Sequence, residues 1–309
     1  MRIIFMGTPD FAVASLKSLV EHGKQVVAVI TAPDKPAGRG QKLSQSPVKQ
    51  YAIQQEIPVL QPEKLRSPDF LDELKALKPD LFVVVAFRML PEVVWSLPTR
   101  GTFNLHGSLL PQYRGAAPIN WAVMNGEKET GLTTFFIEKE IDTGHIIDFV
   151  KVPIAEDETA GELHDEMMEQ GAGLVLKTVE AIHAGEVQTV PQENLIKEEL
   201  KPAPKIHKET CEIDWSKDRN SVYNHIRGLS PYPAAWTKLQ GKVLKIFRTE
   251  KVESLGDGKR LEGELTEVFT NEKDSLCFKT ADGWLSLTEL QLEGKKRMGV
   301  EEFLRGYRF

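Results

Sequence analysis

"RIIFMGTPDFAVASLKSLV", residues 2–20, decides the fold. Ile3 to Met6 form an unbroken apolar run, short and bounded by a glycine, which reads as a strand buried on both faces. "GTPDF" (7–11) turns the chain, and Phe11 to Val20 then carries apolar residues at helical spacing. The same rhythm continues outward. "QVVAVIT" (25–31) and "DLFVVVAF" (80–87) are further continuous strands. Helical spacing fills Pro47 to Gln55 and "SPDFLDELKALK" (67–78), the latter with Ser67 as N-cap and Pro68 at the first helical position. Strand–helix–strand repetition predicts an α/β fold with a Rossmann-like, doubly wound parallel sheet, in which ligands gather outside the carboxyl ends of the strands. "GTPDF" lies at such an end but lacks the Gly-x-Gly-x-x-Gly that cradles a pyrophosphate, which disfavours a dinucleotide site. A helix over Thr159 to Ala184 is expected to close this first domain.

The texture then changes. "EVQTVPQENLIKEELKPAPKIHK" (186–208) holds Pro191, Pro202 and Pro204 with little periodicity and reads as an extended linker. "DWSKDRNSVYNHIRGL" (214–229) reads as one helix. Short alternating strands follow, with turns at Gln240-Gly241, Asp257-Gly258 and Asp282-Gly283, and a last short helix over Gly299 to Arg305. This pattern predicts a small C-terminal β-barrel of the oligonucleotide-binding kind. The expected boundaries are 1–189 for the catalytic domain, 190–207 for the linker and 208–309 for the barrel.

At 309 residues, with 41% apolar and 27% charged side chains, two globular domains are affordable. Two cysteines argue against a disulfide scaffold, and neither has ligand-spaced partners, so no metal site is expected. No apolar run reaches the roughly 20 residues of a membrane span. The opening "MRIIFMGTPDF" enters a strand pattern directly, so a cytoplasmic protein without targeting segment or membrane contact is expected. The net charge of −6 is uneven: from residue 208 onward 18 Lys+Arg stand against 17 Asp+Glu, and the acidic front of the chain does not look like a general nucleic-acid binder. A local basic face on the second domain therefore remains open. There is no oligomerisation signal, and a monomer is expected.

The chemistry concentrates in "FNLHGSLLPQYRG" (103–115). Strand alternation puts Asn104 and His106 on one face, roughly 6–7 Å apart. An amide donor suits an oxyanion, and an imidazole suits proton transfer to or from an amine. Ser108, Leu109, Leu110 and Pro111 would supply a turn with free backbone amides and an apolar floor. In "EIDTGHII" (140–147), Asp142 precedes the Gly144 turn and would orient an imidazole. "AFRMLP" (86–91) would wall a pocket for a planar heterocycle, with Phe87 and Arg88 along it and Met89 and Leu90 over its face. The loop "TAPDKPAGRGQKLSQSPVK" (31–49) is long for an α/β connection and carries Lys35, Arg39, Lys42 and Lys49, which reads either as a surface loop or as a mobile basic arm that follows phosphates.

Taken together, Asn-x-His, Ser-Leu-Leu-Pro, "RGAAPI" and Asp-Thr-Gly resemble the signature of the 10-formyltetrahydrofolate-dependent formyltransferases, over essentially the whole chain. "GTPDF", the 33–49 loop and the second domain resemble the branch that acts on aminoacylated tRNA. The short 86–91 loop looks more like that of the purine-pathway members. The resemblance implies transfer of the formyl group of 10-formyltetrahydrofolate to the α-amine of methionine on initiator methionyl-tRNA, with Asn104, His106 and Asp142 catalytic. It implies folate contacts from residues 87–90 and 108–111, tRNA contacts from Lys35, Arg39 and Lys42, and no metal. A small acceptor, such as a sugar nucleotide or glycinamide ribonucleotide, would need neither the basic loop nor the barrel.

Overall fold

The computed structural model describes residues 1–37 and 42–309. In chain order the elements begin β1 (Ile3–Gly7), α1 (Asp10–Glu21), β2 (Val26–Ile30), β3 (Lys35–Ala37), β4 (Lys42–Ser44), α2 (Pro47–Gln54), β5 (Val59–Leu60), α3 (Pro68–Ala76) and β6 (Leu81–Val85). They continue α4 (Glu92–Trp95), β7 (Thr102–His106), α5 (Pro118–Met124), β8 (Glu129–Phe136), β9 (Ile146–Pro153) and α6 (Ala160–Ala184). The remainder is α7 (Arg219–Gly228), β10 (Ala235–Leu239), β11 (Lys242–Val252), β12 (Lys259–Glu262), β13 (Glu267–Thr270), β14 (Leu276–Lys279), β15 (Trp284–Leu292), β16 (Met298–Gly299) and α8 (Val300–Gly306).

Two compact units emerge. The first comprises residues 1–115, 131–152 and 164–202. Its sheet has the order β5-β2-β1-β6-β7-β8-β9. β5, β2, β1, β6 and β7 are parallel, and β8 is antiparallel to β7. All five residues of β1 and of β6 are buried, which is why both are continuously apolar in sequence. Winding reverses between β1 and β6, whose register runs from Ile3↔Leu81 to Gly7↔Val85. At that reversal a Cβ on Gly7 would stand 2.6 Å from the Ala12 Cβ and 2.9 Å from the Val85 carbonyl, so only glycine lets α1 enter so close. The crevice left there, at the carboxyl ends of β1, β6 and β7, is where an open α/β sheet holds its ligand.

The second unit comprises residues 116–130, 153–163 and 203–309. Its antiparallel sheet, order β10-β11-β15-β14-β13-β12 with β16 on β15, curls into a half-barrel. The core gathers Phe278, Leu285, Leu287 and Leu290 from β14 and β15, Trp215 from the turn before α7, and Val222 and Ile226 from α7. Trp215 stacks on Phe278 at 4.7 Å. α7 is shorter than the sequence suggests. Asp214 folds back on Ser216, accepting from its amide at 3.1 Å and its hydroxyl at 2.6 Å, and the helix starts only where Asp218 caps Ser221. Residues 190–202, expected as linker, group with the first unit.

Candidate active site

β7 delivers two polar side chains to the crevice. It lies between β6 and β8, with Asn104 paired to Val84 on one side and Phe135 on the other. Its backbone is thus held from both flanks. Alternation places half-buried Asn104 and buried His106 on one face.

The surroundings fix the imidazole. His106 Nε2 lies 2.8 Å from the Tyr113 carbonyl oxygen. A carbonyl only accepts, so Nε2 carries the hydrogen, and the neutral ring keeps its lone pair on Nδ1. The Phe135 ring stands edge-on to the imidazole at 6.5 Å. Nδ1 faces Asp142 Oδ2 at 3.9 Å, too long for a direct hydrogen bond and within ion-pair range once the ring is protonated. Sequence reasoning gives Asp142 the job of orienting the imidazole; in the structure the hydrogen bond that fixes ring and tautomer goes to the Tyr113 carbonyl. Asp142 is instead the counter-charge on the basic side of the ring.

The carboxylate is held in turn. Asp142 has a left-handed backbone (φ 55°), and its Oδ2 accepts from the Gly115 amide at 3.0 Å. The neighbouring Gly144 is obligatory, since a Cβ there would sit 1.7 Å from the Phe136 carbonyl oxygen. Gln192, 1% exposed, donates through Nε2 to the carbonyls of Asp142 (2.9 Å) and Gly144 (2.8 Å). Its Oε1 accepts from Arg114 Nε and Nη2 at 3.0 and 2.7 Å. Sequence reasoning missed Tyr113, Gly115 and Gln192. The first two contribute backbone atoms, which carry no residue code, and Gln192 sits in a stretch without periodicity.

The loop after β7 is built from its own bonds. Buried Ser108 donates to the Gln112 carbonyl at 2.6 Å. The Leu110 amide donates to Thr133 Oγ1 at 3.2 Å, and that hydroxyl donates to the Ser108 carbonyl at 2.7 Å. Leu110 packs with Phe135 and Ile146. The Leu110 amide is therefore engaged, not free as the sequence suggests, and Leu110 is core while Leu109 is half-buried beside a cis Leu110–Pro111 bond. After β6, Ala86 turns left-handed (φ 47°). Leu90 then joins the apolar cluster that includes Met6, Phe82 and Val84, Phe87 packs against that cluster, Met89 is 74% exposed, and Arg88 donates to the carbonyls of Pro62 and Glu63. Met89 and Leu90, paired in the sequence reading, thus face opposite ways.

The basic loop is a hairpin with a clamped base. β3 and β4 pair from Lys35↔Ser44 to Ala37↔Lys42. Lys49 bonds Asp34 at 2.6 Å and Gln61 at 2.7 Å, and Gln61 donates to Asp34 at 2.8 Å. These bonds from Lys49 and Gln61 hold the Asp34 carboxyl below its usual range. Lys49 is therefore an anchor for the loop. Lys35 is exposed on β3, Lys42 opens β4, and Arg39 lies outside the described residues. In the second unit, Arg248 pairs with Glu162, Lys296 with Glu302, and Arg297 with Glu289 while covering the Phe247 ring at 4.2 Å. Lys242, Lys245 and Lys295 stand outside these pairs. Among the described residues no three His, Cys, Asp or Glu side chains are grouped to hold a metal ion, and no helix is long and apolar enough to cross a membrane.

Comparison with known proteins shows what the chain is similar to. The family description "Formyl transferase" matches residues 1–179, and "Formyl transferase, C-terminal domain" matches residues 205–308. The methionyl-tRNA formyltransferase of Phocaeicola vulgatus is 57% identical over 316 residues, covering 100% of this chain and 96% of the relative. That of Bacteroides fragilis is 54% identical, covering 99% and 95%. Among solved structures, WlaRD, a sugar 3N-formyl transferase crystallised in the presence of dTDP and 5-N-formyl-THF, superposes with a TM-score of 0.66 at 21% identity, over 96% of this chain and 99% of that one.

Proposed function

The chain belongs to the formyl transferase family, and we propose that it transfers the formyl group of 10-formyltetrahydrofolate to the α-amine of methionine on initiator methionyl-tRNA. The observation that carries this reading is the buried imidazole between a carbonyl and a carboxylate, with an amide on its own strand face, at the carboxyl edge of the sheet. We assign the folate to the crevice at the carboxyl ends of β1, β6 and β7. The crevice combines an amide and a proton-accepting ring with an exposed Met89 on the neighbouring loop, while Phe87 and Leu90 stiffen that loop from beneath. We assign folate contacts to residues 87–90 and 108–111, with Ser108 and Leu110 acting by shaping the loop. When bound, the folate supplies an activated formyl carbon.

The protein's residues then divide the work. Asn104 donates its amide to the formyl oxygen as charge gathers there, a contribution whose loss costs about 3–4 kcal/mol. His106 Nδ1, the only ring nitrogen with a free lone pair, takes the proton released as the amine forms its bond to carbon. Asp142 Oδ2, at 3.9 Å, faces the imidazolium so formed. The same proton is returned to the leaving nitrogen as the old carbon–nitrogen bond breaks, so the ring ends neutral. Such shuttling is worth about 10²–10⁴-fold.

We assign tRNA contacts to Lys35, Arg39 and Lys42 and to the 208–309 region, with 1–189 as the catalytic part. The test is formylation of charged initiator tRNA by the purified protein. Uncharged tRNA and a sugar-nucleotide amine serve as alternative acceptors. Formyl transfer confined to the charged tRNA supports the assignment, and preference for the small amine overturns it.

A further inference from the structure

We propose that Gln192 is a positioning residue of the reaction, and that the strap 190–201 is part of the active site rather than a tether between domains. This rests on the roles given above to His106 and Asp142. The strap is bonded within the first unit along its length, and Gln112 Nε2 donates to Glu198 Oε1 at 3.3 Å and to the Glu199 carbonyl at 3.1 Å. Val190 exchanges backbone hydrogen bonds with Ile146, both 2.9 Å, just past the turn that carries Asp142. Gln192 binds that turn through two carbonyls and binds Arg114 through its oxygen. Lys201 donates to Gln112 Oε1 at 2.8 Å and accepts from the Tyr113 amide at 2.8 Å. The strap thus bonds both loops that meet at the imidazole: the one whose Tyr113 carbonyl sets the His106 tautomer, and the one that presents Asp142.

Gln192 is the point where this coupling passes through a single buried side chain. Its environment needs a donor and an acceptor at once. The Arg114 guanidinium, with two N–H groups on Oε1, forces the amide nitrogen toward the two carbonyls. Those carbonyls bracket Thr143, so the amide pins both sides of a turn whose first residue is left-handed. Arg114 also precedes Gly115, whose amide holds Asp142 Oδ2. A closed circuit results: Asp142 carboxylate, Gly115, Arg114, Gln192, Asp142 carbonyl. A glutamate at 192 would keep the Arg114 bond and lose the donation, setting a carboxylate against two carbonyl oxygens. An alanine would take a hydrogen-bond partner from the Arg114 guanidinium and from the carbonyls of Asp142 and Gly144, the last of them buried.

The experiment is a double-mutant cycle on the full-length protein, using Gln192→Ala, Gln192→Glu, Asp142→Asn and the two corresponding doubles. Formylation of charged tRNA is the activity readout, and amide exchange of the segment holding Gly115 is the structural one. The expected result for Gln192→Ala is a kcat lowered about 10–100-fold with KM for folate within about twofold. Gln192→Glu should be no better. Adding either change to Asp142→Asn should cause no further loss, because Gln192 acts through Asp142. Gly115 exchange should rise in both Gln192 variants while the strands of the sheet keep wild-type protection. Multiplicative losses in the doubles, an unchanged kcat, or unchanged Gly115 exchange would each overturn the proposal. If the wild-type protein fails to formylate tRNA, the functional reading fails by itself, and the exchange measurement still decides whether Gln192 holds the Asp142 turn.

Discussion

At the scale of single residues, the account rests on where hydrogens sit. The Tyr113 carbonyl commits His106 Nε2 to donation, so the ring offers its base at Nδ1, toward Asp142. His106→Ala is expected to fold and to lose about 10²–10⁴-fold in kcat, and Asn104→Ala about 10²–10³-fold, both read by formylation kinetics beside a thermal melt. A second histidine tests the same physics in reverse. His225 on α7 has an enclosed Nε2 with no partner among the described residues, and burial pushes its pKa down to about 4. The unfolded chain takes up that proton near pH 6.5, so the folded state's advantage is full above about 6.5 and drains as pH falls toward 4. Urea unfolding should show about 2 kcal/mol more loss between pH 7 and pH 5 in the wild type than in His225→Leu. Asn104, His106 and Asp142 were legible in sequence because each lies in a short, patterned stretch. Gln192 was not, because its partners are backbone carbonyls 50 and 48 positions away in the chain.

At the scale of elements, legibility followed burial. β1 and β6, covered on both faces, stand out as continuous apolar runs, and α6 runs Ala160–Ala184 against an expected start at Thr159. α7 was overread because Asp214 and Asp218, both good helix-surface residues by pattern, bind nearby hydroxyls and amides and delay the start. The turn at 140–144 closes tightly on the end of β8. Gly144→Ala must move either the turn or the end of β8, since its Cβ would stand 1.7 Å from a carbonyl oxygen. A loss of about 1–3 kcal/mol in stability is expected, with a larger fall in kcat than in folate affinity, measured by chemical denaturation and steady-state kinetics. The hairpin base offers a contrast. Lys49→Met would release Asp34 and Gln61 without touching the crevice. It should raise KM for tRNA and leave KM for folate within about twofold.

At the scale of the whole molecule, a chain of net charge −6 must bind a polyanion, so recognition has to be local. The Lys35→Ala, Arg39→Ala, Lys42→Ala triple variant should weaken tRNA binding and flatten its salt dependence, as read from Kd values across a salt series. A slope equal to that of the wild type would remove the hairpin from the interface. The division of the chain into an α/β unit and an antiparallel one was legible from the switch in periodicity, whereas the assignment of residues 190–202 to the first unit depends on bonds made by backbone atoms and was not. The central claim is proton transfer through His106 beside the Asp142 carboxylate, and the most direct measurement is single-turnover formylation of methionyl-tRNA by the wild type and Asp142→Asn at saturating folate. A rate at least about 100-fold lower in the variant, with unchanged substrate affinities, is expected. A variant rate within threefold of the wild type would contradict it.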